Sequence, residues 1–175
     1  MIKTILIVLV VIVAAILIYA ATKPDTFAIK RSLAIKATPE RLFALIDDFR
    51  AWQQWSPWEK RDPAMKRTLG GPDRGKGATY AWDGNKDVGQ GSMEIVESTE
   101  PSRVLIKLDF IKPFEAHNTA EFVLVPNGDT TLVTWTMGGP SPYISKIFSV
   151  FVNMDAMIGK DFEEGLANLR ALAEK

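Results

Sequence analysis

Between Lys3 and Lys23 the chain runs for 19 residues, Thr4 to Thr22, without a charge and with almost no polar side chain. As a helix this run would extend about 28 Å, close to the thickness of one hydrocarbon core. After Lys23 the apolar positions become periodic. Phe27 to Ile35 alternates apolar with polar residues, which predicts a half-buried strand. Thr38-Pro39-Glu40-Arg41 predicts a helix start, with Thr38 as N-cap and Pro39 at the first helical position, and Leu42, Phe43, Leu45 and Ile46 supply the buried stripe. A second short helical piece through Phe49, Trp52 and Trp55 is predicted to stop at Ser56-Pro57, because proline disfavours helical geometry in the residue before it.

From Met65 to Met137 the pattern is that of strands separated by turns. The turns are Gly70-Gly71-Pro72-Asp73, Gly84-Asn85, Glu100-Pro101-Ser102 and Asn127-Gly128-Asp129. The strands between them span 78–82, 89–97, 104–110, 115–125 and 130–137, with clear alternation at Val104, Ile106, Leu108 and Phe110. Short connections between consecutive strands predict an antiparallel meander. Beyond Gly138-Gly139-Pro140, the residues Ile144, Ile147, Phe151, Met154, Ile158, Phe162, Gly165, Leu169 and Leu172 fall three or four apart, the spacing of one long helix. Such a helix must bury its stripe, and a twisted sheet with one apolar face needs a cover. The predicted fold is α+β, an antiparallel curved sheet wrapped around a long C-terminal helix and preceded by one transmembrane helix. The predicted units are 1–23, an anchor, and 24–175, one domain.

Charge and composition narrow the chemistry. The 21 Lys and Arg equal the 21 Asp and Glu, and setting aside Lys3 and Lys23 leaves 19 bases against 21 acids, a net of −2 for residues 24–175. That balance gives no electrostatic reason to bind nucleic acid. The absence of cysteine removes disulfides, thiolate nucleophiles and thiolate ligands together, and a single histidine, His117, argues against an ordinary zinc or non-haem iron site. No metal or cofactor is expected. The apolar run is longer than the usual export h-region, and Ile18 or Tyr19 would occupy the position where a cleavage site wants a small residue. Residues 4–22 are therefore read as a retained single-pass anchor, with the side of the membrane left open by the lysines on both flanks.

Several segments together resemble a known group. They are Ile35-x-Ala37-x-Pro39-Glu40-x-x-Phe43-x-x-Ile46-Asp47-Asp48 leading into Trp52-x-x-Trp55-Ser56-Pro57-Trp58, then Gly75-x-Gly77-x-x-Tyr80-x-Trp82-x-Gly84-Asn85, Val88-Gly89-x-Gly91-x-Met93, Thr130-x-x-Val133-Thr134-Trp135-x-Met137 and Phe162-Glu163-x-Gly165-Leu166-x-x-Leu169. With the order of elements, they resemble the polyketide cyclase/dehydrase and lipid-transport branch of the START-like (SRPBCC) superfamily. The resemblance implies a helix-grip domain with an internal cavity, in a group whose members bind lipids, sterols, polyketides or other hydrophobic molecules.

The candidate ligand-binding residues are Trp55, Trp58, Trp82, Met93, Phe110, Phe122, Trp135, Met154, Met157, Ile158 and Phe162. The strand residues among them have a parity that can face the helix, and methionines adapt to irregular apolar shapes. The same residues also suit an ordinary core, and Trp52, Trp55 and Trp58 suit a structural cap. Gly159 and Gly165 need a reason inside a helix, either close packing or room for a ligand. His117, beside Glu115 and Asn118, is the one candidate general base. Asp47, Asp48, Glu59, Asp62, Asp83 and Asp109 could form an acid/base pair only if two met in the cavity. The expectation is a membrane-anchored binding protein for a hydrophobic small molecule or lipid, held between sheet and C-terminal helix. A cyclase or dehydratase using the same space, and a ligand-free membrane-tethered interaction module, remain as alternatives.

Overall fold

A computed structural model describes residues 1–175. Helix α1 (Ile2–Ala21) carries the apolar run and leads through a short turn into strand β1 (Thr26–Ile35). Helix α2 (Pro39–Ile46) begins as the sequence predicts, with the Thr38 side chain accepting from the Arg41 N–H and Pro39 in the first turn. The following helical piece is smaller than expected, a single 3-10 turn at Ala51–Gln54. Its tryptophans hold it in place. Trp52 Nε1 donates to the Ile46 carbonyl at 2.9 Å and Trp55 Nε1 to that of Leu45 at 3.0 Å, so two indoles satisfy carbonyls that the end of α2 leaves free. Pro57, read as a stop, also starts a further short helix, α3 (Pro57–Arg61).

The remaining strands are β2 (Lys66–Gly70), β3 (Thr79–Asp83), β4 (Gln90–Thr99), β5 (Arg103–Lys112), β6 (Ala116–Asn127) and β7 (Thr130–Pro140). They form one seven-stranded antiparallel sheet in the order β1-β7-β6-β5-β4-β3-β2, a meander to whose last strand β1 is added. Register shifts between β4 and β5, at Gln90/Gly91 and Ile95/Glu97, introduce irregularities of the kind that bend a sheet. The inner face carries Ile29, Arg31 and Ile35 on β1, Val133, Trp135 and Met137 on β7, Ala120, Phe122 and Leu124 on β6, and Val104, Ile106 and Leu108 on β5. The expected alternation along β5 is therefore the observed one.

The C-terminal segment differs from the expected single helix. Helix α4 (Tyr143–Phe151) ends at Val152, which is extended, and α5 (Met154–Ala173) restarts with the Asn153 side chain accepting from the Ala156 N–H at 3.0 Å. Only α5 lies across the sheet, burying Phe162, Leu166, Leu169 and Ala173. It follows β1: Arg31 pairs with Asp155 in its first turn and with Glu163 at its middle, and Glu174 accepts from the Lys36 N–H at its end. Helix α4 packs instead beside α1.

Candidate functional site

The space between the inner face and α5 is occupied by an aromatic cluster centred on Trp135. Its indole stacks on Phe162 at 4.1 Å between ring centroids and 3° between planes. Phe122 lies 4.8 Å away, and Trp55 and Trp58 each lie 5.7 Å away with edge-on geometry. Trp52, discussed above as part of the spaced tryptophan set, joins the cluster at 4.8 Å from Trp55. Of the two helix glycines, Gly165 follows from this packing. A methyl group at Gly165 would stand 2.8 Å from the Trp135 ring and 3.2 Å from Pro57, and one at Gly159 would stand 1.9 Å from the Arg31 guanidinium. Close approach of α5 to the Trp135 ring is thus the reason for Gly165, whereas at Gly159 the neighbour is the movable end of the Arg31 side chain.

The predicted site residues separate into three groups. Trp82, Phe122 and Trp135 are buried on the inner face, Phe162 on the α5 stripe that meets it, and Trp55 at the end of the 3-10 turn. Trp58, Met93, Phe110 and Ile158 are half-buried against the edge of the same core, with Phe110 edge-on to Trp82 at 5.8 Å. Met154 is half-buried and Met157 exposed on the first turn of α5, so Met157 does not join the cluster. Leu166, part of the family-resembling segment but outside the predicted helix stripe, is buried beside Phe162 and Leu169.

One polar atom in this region has no partner. Trp135 Nε1 is buried and donates to nothing, whereas Trp52, Trp55 and Trp82 each donate to a backbone carbonyl. A buried donor left unpaired costs about 1–3 kcal/mol. Asn118 also faces inward and is buried, two residues before Ala120 on the same side of β6.

The ionisable groups lie around this space rather than facing one another across it. Glu59 accepts from the Tyr80 hydroxyl and from Arg67 Nε, each at 2.6 Å, and burial together with that carboxylate pushes the Tyr80 pKa up. Burial raises the Asp47 pKa, and the Ser98 hydroxyl, donating at 2.7 Å, works against the rise. Asp62 accepts from the N–H groups of Asn85 and Ala64. Each buried carboxylate therefore has its own donors, and no acid/base pair forms among them. His117 is on the outer face of β6, cross-strand to Asp109 and 2.7 Å from it, and this hydrogen bond raises its pKa. It points away from the space under α5. No group of three His, Asp or Glu side chains converges as a metal ion requires. The triad of Glu59, Arg67 and Tyr80 was not legible beforehand, since its members come from separate elements and no local spacing joins them.

Two surface concavities lie elsewhere. A groove along α1 is lined by Ile5, Val8, Leu9 and Ile12, and a shallow depression beside the start of β6 is lined by Lys107, Asp109, His117, Asn118 and Thr119.

Comparison with known proteins places this geometry. The model of the family described as "Polyketide cyclase / dehydrase and lipid transport" matches residues 26–174. Among solved structures, protein CV1439 from Chromobacterium violaceum is 16% identical with a TM-score of 0.60, over 87% of this chain and 99% of that one. The major latex-like protein 151 from Panax ginseng is 16% identical with a TM-score of 0.60, over 86% of this chain and 99% of that one. The di-domain ARO/CYC StfQ from the steffimycin biosynthetic pathway is 10% identical with a TM-score of 0.61, over 85% of this chain and 51% of that one. No curated protein gives a match. The match of the family model to nearly the whole segment after α1, carried on a seven-stranded helix-grip fold, makes this chain a member of the polyketide cyclase/dehydrase and lipid transport family.

Proposed function

We propose that this protein is a membrane-anchored binding protein that holds a hydrophobic small molecule or lipid between the inner face of the sheet and α5. The observation that carries the reading is Trp135 Nε1, an unpaired donor at the centre of an aromatic layer. A bound carbonyl, hydroxyl or ester oxygen would satisfy it while the rest of the ligand replaced ring-to-ring contacts. Trp58, Met93, Phe110 and Ile158, half-buried at the edge of that layer, supply an apolar approach. Because the layer is closed in this structure, entry requires the rings to re-pack, and the extended Val152 next to Asn153 gives the start of α5 a joint at which to move.

Membrane attachment is supported by α1, one helix long and apolar enough to cross a bilayer and almost entirely unburied. A helix of that composition standing free in water would be strongly unfavourable. Its last turns and the turn after it contact α4: Tyr143 donates to the Leu17 carbonyl at 2.8 Å and Lys23 Nζ to that of Ser149 at 2.8 Å. Of the two other readings, a cyclase or dehydratase would need a base in the same space, and His117 faces outward while the buried carboxylates are already engaged. The closed aromatic layer is what a ligand-free interaction module would also have.

Native mass spectrometry of the full chain released from lipid nanodiscs separates these. An apolar species retained after removal of the nanodisc lipids, and lost in Trp135→Phe with the fold intact by circular dichroism, is the expected result. An empty protein in both cases overturns ligand binding and leaves the interaction module.

A further inference from the structure

We propose that α4 and the tip of the β5–β6 hairpin form a second, interfacial contact with the lipid leaflet that seats the open end of the domain on the membrane; this rests on the reading of α1 as a transmembrane anchor. The first observation is the face of α4. Ile144, Phe148 and Phe151 recur at helical spacing and are 73%, 55% and 69% exposed. On the opposite side of the same helix Lys146 is buried and paired with Asp25 at 2.5 Å. The hydrophobic residues thus point to solvent while a lysine points in, the reverse of a helix made to cover a water-soluble core.

The second observation is where this face sits. Sheet register puts the start of β1, the end of β7, the start of β6 and the end of β5 at one end of the domain, through the pairs Thr26 with Pro140, Thr119 with Gly138 and Phe110 with Ala116. Helix α1 enters at that end and α4 leaves from it. The hairpin tip at the same end exposes two more apolar residues, Ile111 at 54% and Phe114 at 80%. The opposite end, with the turn at Asn127–Thr130, carries Asp129.

The third observation sets depth. The Tyr143 hydroxyl meets α1 at Leu17, six residues and about 9 Å along the helix before Lys23, the first charge after the apolar run. With Lys23 at headgroup level, the beginning of α4 lies within the outer part of the hydrocarbon, the depth of an interfacial amphipathic helix. The occupant of the α4 face is therefore the leaflet that α1 already crosses, since the two surfaces are continuous. In this arrangement the half-buried inner-face residues nearest that end, Phe27 and Phe110, face the leaflet, where apolar ligands are concentrated.

The chain has no cysteine, so single substitutions provide unique labelling sites. The full chain is reconstituted in phosphatidylcholine/phosphatidylglycerol vesicles and labelled with an environment-sensitive fluorophore at Phe148→Cys, Ile144→Cys, Phe114→Cys, Val10→Cys or Asp129→Cys. Quenching is read with nitroxide lipids carrying the spin label at a shallow or a deep acyl position. The expected result is quenching and a blue shift at 144, 148 and 114, greatest with the shallow quencher. Position 10 should be quenched best by the deep one, and 129 by neither. Quenching at 10 without quenching at 144 and 148 overturns the interfacial contact and leaves the anchor standing, whether solvent or a protein partner covers that face. Failure at 10 overturns the anchor and this inference with it. Because all five positions are exposed, a folded protein is expected from each variant, and two independent positions on α4 guard against a local effect of either.

Discussion

Replacing Phe162 by alanine is the most informative perturbation of the aromatic layer. The ring is 1% exposed and lies flat on Trp135 at 4.1 Å, with Trp58 edge-on at 6.3 Å. Truncating a buried phenylalanine costs about 3–5 kcal/mol, made up of the lost transfer energy and the cavity left behind. The upper half of that range applies here, because the large flat neighbouring rings fill a gap of this shape poorly and the lost stack adds about 0.5–1.5 kcal/mol of its own. For a chain of this length each kcal/mol moves the midpoint by about 2–4 °C, so Phe162→Ala should lower the Tm by about 8–20 °C. Unfolding is followed by tryptophan fluorescence and near-ultraviolet circular dichroism of the full chain in detergent. The vacancy would be apolar and dry, a shape that small aromatic molecules occupy, so saturating benzene or toluene should restore part of the loss. A cost below about 1 kcal/mol, or no rescue by an aromatic solute, would refute the view that α5 closes on the sheet through this ring.

Three further outcomes follow from the geometry. Gly165→Ala should destabilise the fold by about 1–2 kcal/mol in urea titration despite the better helix propensity of alanine, because the added methyl meets the Trp135 ring and Pro57 rather than a side chain free to move. Tyr80→Phe should cost about 1.5–3 kcal/mol, the value of a hydrogen bond to a charged acceptor, measured in the same assay. His117 should titrate above its usual value of about 6.5 by NMR, and Asp109→Asn should bring it back towards that value. Since the folded state raises this pKa, the pairing adds stability fully present below the unfolded histidine pKa and lost as pH rises through the folded one.

The sequence made the sheet and its inner face readable because period-two alternation survives wherever one face is buried. Val104, Ile106, Leu108 and Phe110 are the clearest case, and the parity that groups Trp82, Met93, Phe122 and Trp135 comes from the same rule. The start of α2 was readable because its cap is local. The break at Asn153 was not, since Ile147, Phe151, Met154 and Ile158 keep helical spacing across it and an asparagine on a polar face looks the same as one that caps. One hydrophobic stripe therefore concealed two different partners, the sheet for α5 and a surface beside α1 for α4. Strand β2 escaped notice because its exposed edge carries little alternation, only Arg67 being even half-buried. Which way His117 points depended on the register of β6 with β5, which no single strand reveals.

The proposed binding requires an apolar molecule in the membrane to enter the closed aromatic layer between the sheet and α5 and displace its ring contacts. Photolabelling tests it most directly: the full chain in nanodiscs is irradiated with a fatty acid carrying a diazirine near its carboxyl end, and adducts are mapped by peptide mass spectrometry. The account predicts labelling of Trp135 and Phe162 that excess unlabelled fatty acid abolishes. Adducts confined to α1 and α4, unaffected by competitor, would contradict it.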